Sequence, residues 1–198
     1  MRTFLLLSSL LLSLGVSGQT FDRSSFAGLN TNRIKTNTTG MEILGAWGAA
    51  SLVSGTAGYF IATDKEWKAF HGMNAIWGAT NLLIAYGGYT GVRKEAKADI
   101  SCDKALHRYE SNKRLFLING ALDFLYIGSG LLLTTNAGNF NDPATFRGFG
   151  KSITIQGIGL LLFDGTMYSM HQKQDKKWYK LLQGVCITGN GLGYRYGF

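Results

Sequence analysis

Two carboxyl residues lie inside long apolar stretches of the sequence, where an ionisable side chain is costly. Asp123 comes four positions after Asn119 and three before Tyr126, so helical spacing puts all three on one face. Asp164 comes eight positions after Gln156 in a later apolar stretch. An ionisable group in a bilayer costs at least about 2.5–3.5 kcal/mol and needs a partner or a role. The pattern predicts a polar seam that binds or conducts a small cation, a proton or a small molecule.

The apolar stretches predict an all-α fold, a four-helix transmembrane bundle. They cover residues 41–62, 71–92, 115–135 and 152–172, each close to the roughly 20 residues that cross a bilayer. Asp123 lies eight positions after Leu115, and Asp164 lies eight before Gln172. At a rise of 1.5 Å per residue, both are expected about 12 Å below the same face. We therefore expect the two carboxyl groups to meet.

Other polar residues extend the predicted seam to other depths. Asn74 and Asn81 share a face of the second stretch, and amides in hydrocarbon need hydrogen-bond partners. We expect Asn81 to be the partner of the acids, with His71 and Arg147 at the opposite mouth. Three interpretations remain open: side chains that bond one another and fix helix register, with the acids sharing a proton; a cation path or small-molecule pocket; and a histidine metal or cofactor site. The last is disfavoured because His71 and His171 would lie at opposite faces, so we expect no metal and no cofactor.

Glycine is abundant and recurs at matching places in the two halves of the chain. There are 27 glycines and one proline, a composition typical of closely packed membrane helices. An offset of about 75 residues aligns Gly55 with Gly130, and a slightly longer one aligns residues 70–72 with 146–148. The match predicts two helical-hairpin repeats that run in parallel about a pseudo-two-fold axis along the membrane normal.

The first 18 residues have the pattern of a secretory signal peptide, with Arg2, an apolar run and small residues before Gln19. Residues 19–198 would then form a single membrane domain. The face that carries the N-terminal segment, the 93–114 connector and the tail has 15 Lys and Arg, against four on the other face. The positive-inside rule would put this basic face in the cytoplasm, whereas the signal peptide puts it outside. We favour the signal peptide, which predicts a bacterial inner-membrane protein with its mature N-terminus outside.

Two further features concern the basic face and the tail. Cys102 and Cys186 both fall on the face expected outside, where a disulfide can form, with unpaired thiols as the alternative. The aromatic residues of the 194–198 tail alternate as in the last strand of an outer-membrane β-barrel, which is a lesser alternative for the fold. Continuous apolar runs such as 115–118 favour helices instead.

Several motifs resemble those of a family of small, uncharacterised bacterial multi-pass membrane proteins. The resemblance covers about residues 30–172, and its most specific part is Phe70-His71-x-Met73-Asn74, followed later by Phe163-Asp164. It implies a four-helix membrane fold and no activity.

The partners expected are the lipid bilayer and either another membrane protein or a second copy of the chain. Nucleic acid is not expected, because no recognisable binding motif accompanies the basic residues. An enzyme is not expected either, since the sequence has no phosphate loop, zinc-spaced cluster or nucleophile elbow. The alternative function is a non-catalytic scaffold or accessory subunit that binds a protein or anionic lipid through its basic connector and tail.

Overall fold

The computed structural model describes residues 23–182, 186–188 and 191–193. Most of these residues belong to long helices, and a short antiparallel hairpin, in which Thr188 pairs with Gly191, lies near the C-terminus. A single 3₁₀ turn, Ala137–Asn139, joins the third and fourth helices. In chain order the elements are α1 (Arg23–Ile61), α2 (Lys65–Ala96), α3 (Cys102–Thr135), α4 (Pro143–Gln172), α5 (Asp175–Leu182), β1 (Cys186–Thr188) and β2 (Gly191–Gly193).

Polar residues at the helix starts fix where the chain turns. The Asp64 side chain accepts hydrogen bonds from the backbone N–H groups of Glu66 and Trp67 and so caps α2. Ser101 caps α3 through the Lys104 N–H. Asp142 caps α4 directly before the only proline of the chain, which occupies the first helical position, where its missing N–H costs nothing.

Each of the four predicted apolar stretches falls within one helix, apart from Ala62, one residue beyond the end of α1. The helices replace the strands that the β-barrel alternative required. The helices also extend beyond the predicted stretches at their N-terminal ends: α1 begins at Arg23 and α3 at Cys102. The predicted signal peptide lies outside the described residues.

The helices associate as two hairpins. α1 packs along α2, and α3 packs along α4, while α2 also packs along α4 and joins the hairpins. α1 and α4 meet over a short stretch, and α2 and α3 do not pack along each other but touch at the rings of Trp77 and Tyr126, 5.1 Å apart between centroids. The bundle therefore has two lateral openings, which we name the α1/α4 crevice and the α2/α3 crevice.

Close approach of the helices depends on glycine. A Cβ at Gly78 would lie 2.7 Å from the Gly48 carbonyl oxygen and 2.3 Å from the Leu52 nitrogen. Such distances are below van der Waals contact with backbone atoms, so only glycine fits where α2 crosses α1 here.

The second hairpin repeats this crossing. A Cβ at Gly157 would lie 3.2 Å from the Asp123 carbonyl oxygen and 3.1 Å from the Ile127 nitrogen. These α3 residues come 75 positions after their counterparts in α1, and Gly157 comes 79 after its counterpart in α2. Gly55 and Gly130 make a further pair of equivalent crossings. Gly55 of α1 packs against the backbone of His71 and Ala75 in α2. Gly130, 75 positions later in α3, packs against Gly150 and Thr154 in α4, each 79 positions after its counterpart in α2.

Side-chain polarity in the bundle is inverted relative to a water-soluble domain. Large apolar side chains on all four long helices point outward, among them Phe60 (79% exposed), Leu83 (74%), Leu125 (66%) and Leu162 (68%). The buried polar side chains between the helices are those of Ser51, Asn74, Asn81, Asp123, Ser152, Gln156 and Asp164. Among the described helices, one, α3, meets the length and composition of a membrane span, and only 17% of its most apolar 18 residues are buried.

A second packed region lies at one end of the bundle, and we name it the cap. It joins the N-terminal part of α1, the end of α2, the start of α3 and α5. Its apolar core consists of Leu29, Ile100, Ala105, Leu106, Tyr109 and Trp178.

Candidate functional site

Asp123 on α3 and Asp164 on α4 lie side by side in the interior of the bundle. Their side chains interact directly, and the residues are only 2% and 3% exposed. Asp123 Oδ2 and Asp164 Oδ1 have no hydrogen-bond partner among the described residues. Two adjacent carboxyl groups with free oxygens need a proton or a cation to balance their charge.

The two carboxyl groups line a cavity of about 140 Å³ to which all four long helices contribute. Asn81, Asn119 and Tyr126, three more of the residues selected from sequence, line the same cavity, and Asn119 also contacts Asp164. The remaining lining residues are apolar or aromatic: Leu44, Trp77, Ile84, Leu122, Leu160 and Phe163. The structure thus brings together five of the nine sequence candidates.

Gln156 lies at the centre of a separate hydrogen-bond network. Its Oε1 accepts from Trp47 Nε1 at 2.9 Å and from Asn81 Nδ2 at 3.4 Å. Its Nε2 donates to Ser51 Oγ at 3.0 Å and to Asn74 Oδ1. A glutamine amide has two donors and two acceptor positions, so all its capacity is used. This network, which we name the Gln156 network, ties α1, α2 and α4 together and borders the acidic cavity through Asn81.

His71 and Arg147 do not join the acidic cavity. His71 lines a shallow pocket at the turn between α1 and α2, together with Asp64 and Trp67. Arg147 forms an ion pair with Glu66 at 3.4 Å, and Lys151 forms a closer one with the same carboxylate. His71 and Arg147 therefore do not form the expected mouth of the polar seam. Arg147 belongs to a set of ion pairs between α2 and α4, and His71 lies in a separate pocket.

Aromatic rings separate the acidic cavity from the cap. Phe163 lines the cavity and meets Phe116 edge to face at 6.1 Å between ring centroids. Phe116 in turn stacks on the buried imidazole of His171 at 5.7 Å. His171 faces the cap, where its Nε2 lies 2.8 Å from Asn37 Oδ1. The helical spacing of Asp164 and His171 thus does not make them parts of one site.

The cap contains an ion-pair network that the sequence did not reveal. The Arg33 side chain is completely buried, and its guanidinium contacts Glu95 at 2.8 Å and Asn30 at 3.0 Å. Arg108 pairs with the same Glu95 carboxylate. The available signal was a single arginine, four positions after Leu29, in a stretch rich in Asn and Thr. Such a stretch resembles a loop unless tertiary contacts stabilise the helix.

A buried tyrosine connects α3 to α5. The Tyr109 hydroxyl donates its proton toward the Asp175 carboxylate and the His171 backbone oxygen. Lys113 also binds Asp175, at 2.6 Å, and Trp178 stacks on the Tyr109 ring at 5.1 Å. Burial, reinforced by the Asp175 carboxylate, raises the pKa of the Tyr109 phenol, so the hydroxyl remains a donor at neutral pH.

The described residues do not test the predicted disulfide between Cys102 and Cys186, and they show no metal site. The Cys186 side chain lies outside the described residues, so its pairing with Cys102 stays a prediction. Among the residues that the structure describes, no three His, Cys, Asp or Glu side chains are grouped as metal binding would require.

Comparison with known protein families gives a match over more than half of the chain. Residues 43–165 match the model of a protein family described as a family of unknown function, DUF6992. This range includes the Gln156 network and both aspartates but ends before His171 and Asp175 and begins after Arg33. No curated protein and no solved structure matches the chain.

Proposed function

Because the chain belongs to the DUF6992 family, whose function is not established, we propose a function from its own geometry. The chain is a non-catalytic multi-pass protein of a bacterial inner membrane, with its mature N-terminus outside. It binds a cation other than the proton between its helices at Asp123 and Asp164. The observation that carries this proposal is the inverted polarity of the bundle, with the acidic pair enclosed and apolar side chains outward.

The outward side chains support a membrane surround. In water, a contiguous apolar surface of more than a few hundred Å² marks a contact with a partner or a membrane. Here large apolar residues are exposed on all of the four long helices, and a bilayer accommodates such a surface on every side. α1, α2 and α4 do not contain the apolar window of a membrane span that α3 contains. Each of the three carries glycines and polar residues, which lower its hydropathy, and several of these lie buried against neighbouring helices, where small residues favour close packing.

The repeated glycine crossings support the two-hairpin architecture. Gly78 and Gly157 meet equivalent backbone atoms at constant sequence offsets, as Gly55 and Gly130 do. Two hairpins with equivalent crossings fit the expected pseudo-two-fold arrangement, in which sites form between the halves. The acidic cavity is lined from both hairpins.

The two parts of the polar seam support different roles. The Gln156 network is saturated with hydrogen bonds, which suits a role in fixing helix register. The carboxyl pair instead has unpartnered oxygens on a cavity, which suits a role in binding. This difference favours a local site over a polar path through the whole bundle.

The orientation rests on the signal peptide, because the first translocated segment of a chain usually dominates its topology. On the basic face, Arg33, Arg108 and Lys113 are paired with Glu95 or Asp175.

A labelling experiment tests the membrane topology. Single cysteines are placed by Ser101→Cys or Thr145→Cys in a chain that carries Cys102→Ser and Cys186→Ser, and intact cells are treated with an impermeant maleimide. We expect the chain to remain in the membrane fraction after alkaline carbonate, with Ser101→Cys labelled from outside and Thr145→Cys protected. Release by carbonate would contradict the membrane proposal, and the reverse labelling would invert the orientation.

Dicyclohexylcarbodiimide tests the binding site, because it modifies protonated carboxyl groups in apolar surroundings. We expect mass spectrometry to find the adduct on Asp123 or Asp164 but not on the exposed Asp103, and a bound cation to protect the pair. Asp123→Asn combined with Asp164→Asn should abolish the adduct without loss of the folded protein. The binding proposal fails if neither acid reacts, or if none of Na⁺, Ca²⁺ and an alkylammonium ion protects them.

A further inference from the structure

We propose that the α2/α3 crevice admits a lipophilic organic cation, a protonated amine or quaternary ammonium headgroup on a hydrocarbon tail, from the lipid side. The headgroup binds at Asp123 and Asp164, and the tail lies along the crevice. This inference rests on the proposed function and adds the chemical class of the ligand and its direction of entry.

The geometry of the cavity gives the direction. α2 and α3 do not pack along each other but touch at the rings of Trp77 and Tyr126, 5.1 Å apart between centroids, at the end of the cavity away from the cap. On the cap side of these rings both helices line the cavity, α2 with Ile84 and α3 with Leu122. Both side chains are exposed on the outer surface of the bundle. The cavity therefore opens sideways, into what the proposed function makes the lipid.

The routes along the bundle axis are filled by side chains. Toward the start of α4 lies the Gln156 network, with no unused hydrogen-bonding capacity on its central amide. Toward the cap, Phe163 and Phe116 pack against each other and then against His171. A hydrated inorganic ion would have to pass one of these layers, whereas a lipid-soluble cation enters through the crevice.

The walls favour an organic cation over a metal ion. Hard metal ions need about six oxygen ligands, and most of the cavity lining here is carbon. Three aromatic rings, those of Trp77, Tyr126 and Phe163, line the cavity together with the acids. Alkylammonium groups are bound by aromatic faces and carboxylates in this way. One bound cation and one proton retained between the acids would leave the site neutral.

The volume suits a headgroup. The cavity holds about 140 Å³, close to the roughly 150 Å³ that accommodates one benzene molecule in an engineered protein interior. A trimethylammonium group has a similar bulk. A longer tail then has to extend outward between Ile84 and Leu122.

The α1/α4 crevice serves as an internal comparison. With an offset of 75 residues, Trp47 takes the place of Leu122 and Gly48 takes the place of Asp123. The Trp47 indole lies against Gly159 and is held by its bond to Gln156. This crevice has a cavity of about 480 Å³ without a charged residue in its lining. In the α1/α4 crevice, which has no acidic residues in its lining, the Trp47 indole thus occupies the inner position.

The test uses the purified full chain in dodecyl maltoside micelles, with dodecyltrimethylammonium as the probe. Protection of Asp123 and Asp164 from dicyclohexylcarbodiimide is measured against choline, which has the headgroup alone, dodecanol, which has the tail alone, and NaCl. We expect the probe to protect at a concentration at least tenfold lower than choline, and dodecanol and NaCl not to protect.

A variant transfers the indole from one crevice to the other. We expect Leu122→Trp to abolish protection by the probe, while Leu125→Trp, on the outward face of the same helix, retains it. Both variants should keep the circular dichroism and elution volume of the parent chain. Direct binding of radiolabelled probe by equilibrium dialysis should weaken at least tenfold in the double Asp→Asn variant.

The possible results separate the two proposals. Equal protection by choline, or protection by NaCl alone, overturns the lipophilic class but leaves a cation site. Protection by dodecanol at the concentration of the probe overturns the role of charge. Absence of protection by every cation overturns the proposed function and this inference together.

Discussion

Trp47 donates its indole N–H to Gln156 Oε1 at 2.9 Å and so links α1 to α4, two helices that otherwise meet over a short stretch. The bond also sets the position of the indole on Gly159. One amide thereby holds three helices in register and fixes the indole in the inner part of the α1/α4 crevice.

Replacing this amide is expected to destabilise the bundle. Gln156→Leu keeps the volume but leaves Trp47, Asn74 and Ser51 without their partner. Interhelical hydrogen bonds in membranes average about 0.6 kcal/mol, so we expect a loss of about 2 kcal/mol for the network. Unfolding in mixed micelles with increasing dodecyl sulfate measures it, and Gln172→Leu on the exposed end of α4 is the control. Equal stability of the two variants would refute a structural role for the network.

The glycine crossings predict opposite effects for two identical substitutions in α2. Gly78→Ala puts a Cβ 2.3 Å from the Leu52 nitrogen, so the helices must separate, at a cost of about 1–3 kcal/mol. Gly87→Ala meets nothing within 4 Å and should be neutral or stabilising by up to about 1 kcal/mol. Thermal unfolding in detergent compares the two. A Gly78→Ala chain as stable as the Gly87→Ala chain would show that this close crossing does not form.

The cap ion pairs predict that replacing Glu95 destabilises the protein more than replacing its partner Arg33 does. Glu95→Gln leaves the fully buried Arg33 guanidinium without its carboxylate and should cost about 3 kcal/mol or more. Arg33→Met should cost less, because Glu95 is partly exposed and keeps Arg108 as a partner. Chemical unfolding of both variants provides the measurement. Lys65→Met, in the exposed ion pair with Asp142, is the control and is expected to leave the stability almost unchanged. The reverse order for Glu95 and Arg33 would contradict the arrangement.

The raised pKa of the Tyr109 phenol predicts that the free energy of unfolding decreases in alkaline solution. Its pKa in the folded protein is raised above the ordinary value of 10.0 by burial and by Asp175. The unfolded chain therefore releases this proton first, so the stabilisation is complete below about pH 10 and declines as the pH rises further. Tyr109→Phe should cost about 1 kcal/mol at pH 7 and should show a shallower alkaline decline than the parent, whereas Tyr179→Phe, at an exposed position, should follow the parent. Parallel pH profiles for the parent and Tyr109→Phe would argue against the buried donor.

Helical spacing in the sequence was enough to predict the helices and the meeting of the acids. Asp123 lies eight positions after the start of its apolar stretch, and Asp164 lies eight positions before the end of its own. Because the two helices run antiparallel, a fixed rise per residue puts both carboxyl groups at equal depth below the same face. The prediction that Asn81 is their partner is met in part, since Asn81 lines the same cavity but donates its amide N–H to Gln156.

The structure of the cap and the separation of His171 from the acidic cavity depend on contacts that helical periodicity does not encode. Periodicity identifies which residues share a face of one helix, but which helix covers that face depends on how the hairpins associate. His171 shares a face with Asp164 by spacing, yet the Phe116 and Phe163 rings lie between the acidic cavity and His171. Arg33 could be placed only once α1 was seen to continue through its Asn- and Thr-rich segment to reach Glu95.

The length of α1 has a consequence for how this chain can change. Its 39 residues run without a break from the cap to the far end of the bundle, about 58 Å at the usual rise. The directions in which Arg33 in the cap and Trp47 beside the α1/α4 crevice point around the helix axis are therefore fixed relative to each other. A single residue inserted between Gly40 and Leu44 would turn Arg33 by about 100° relative to Trp47, away from Glu95, so insertions here are excluded unless they restore whole turns.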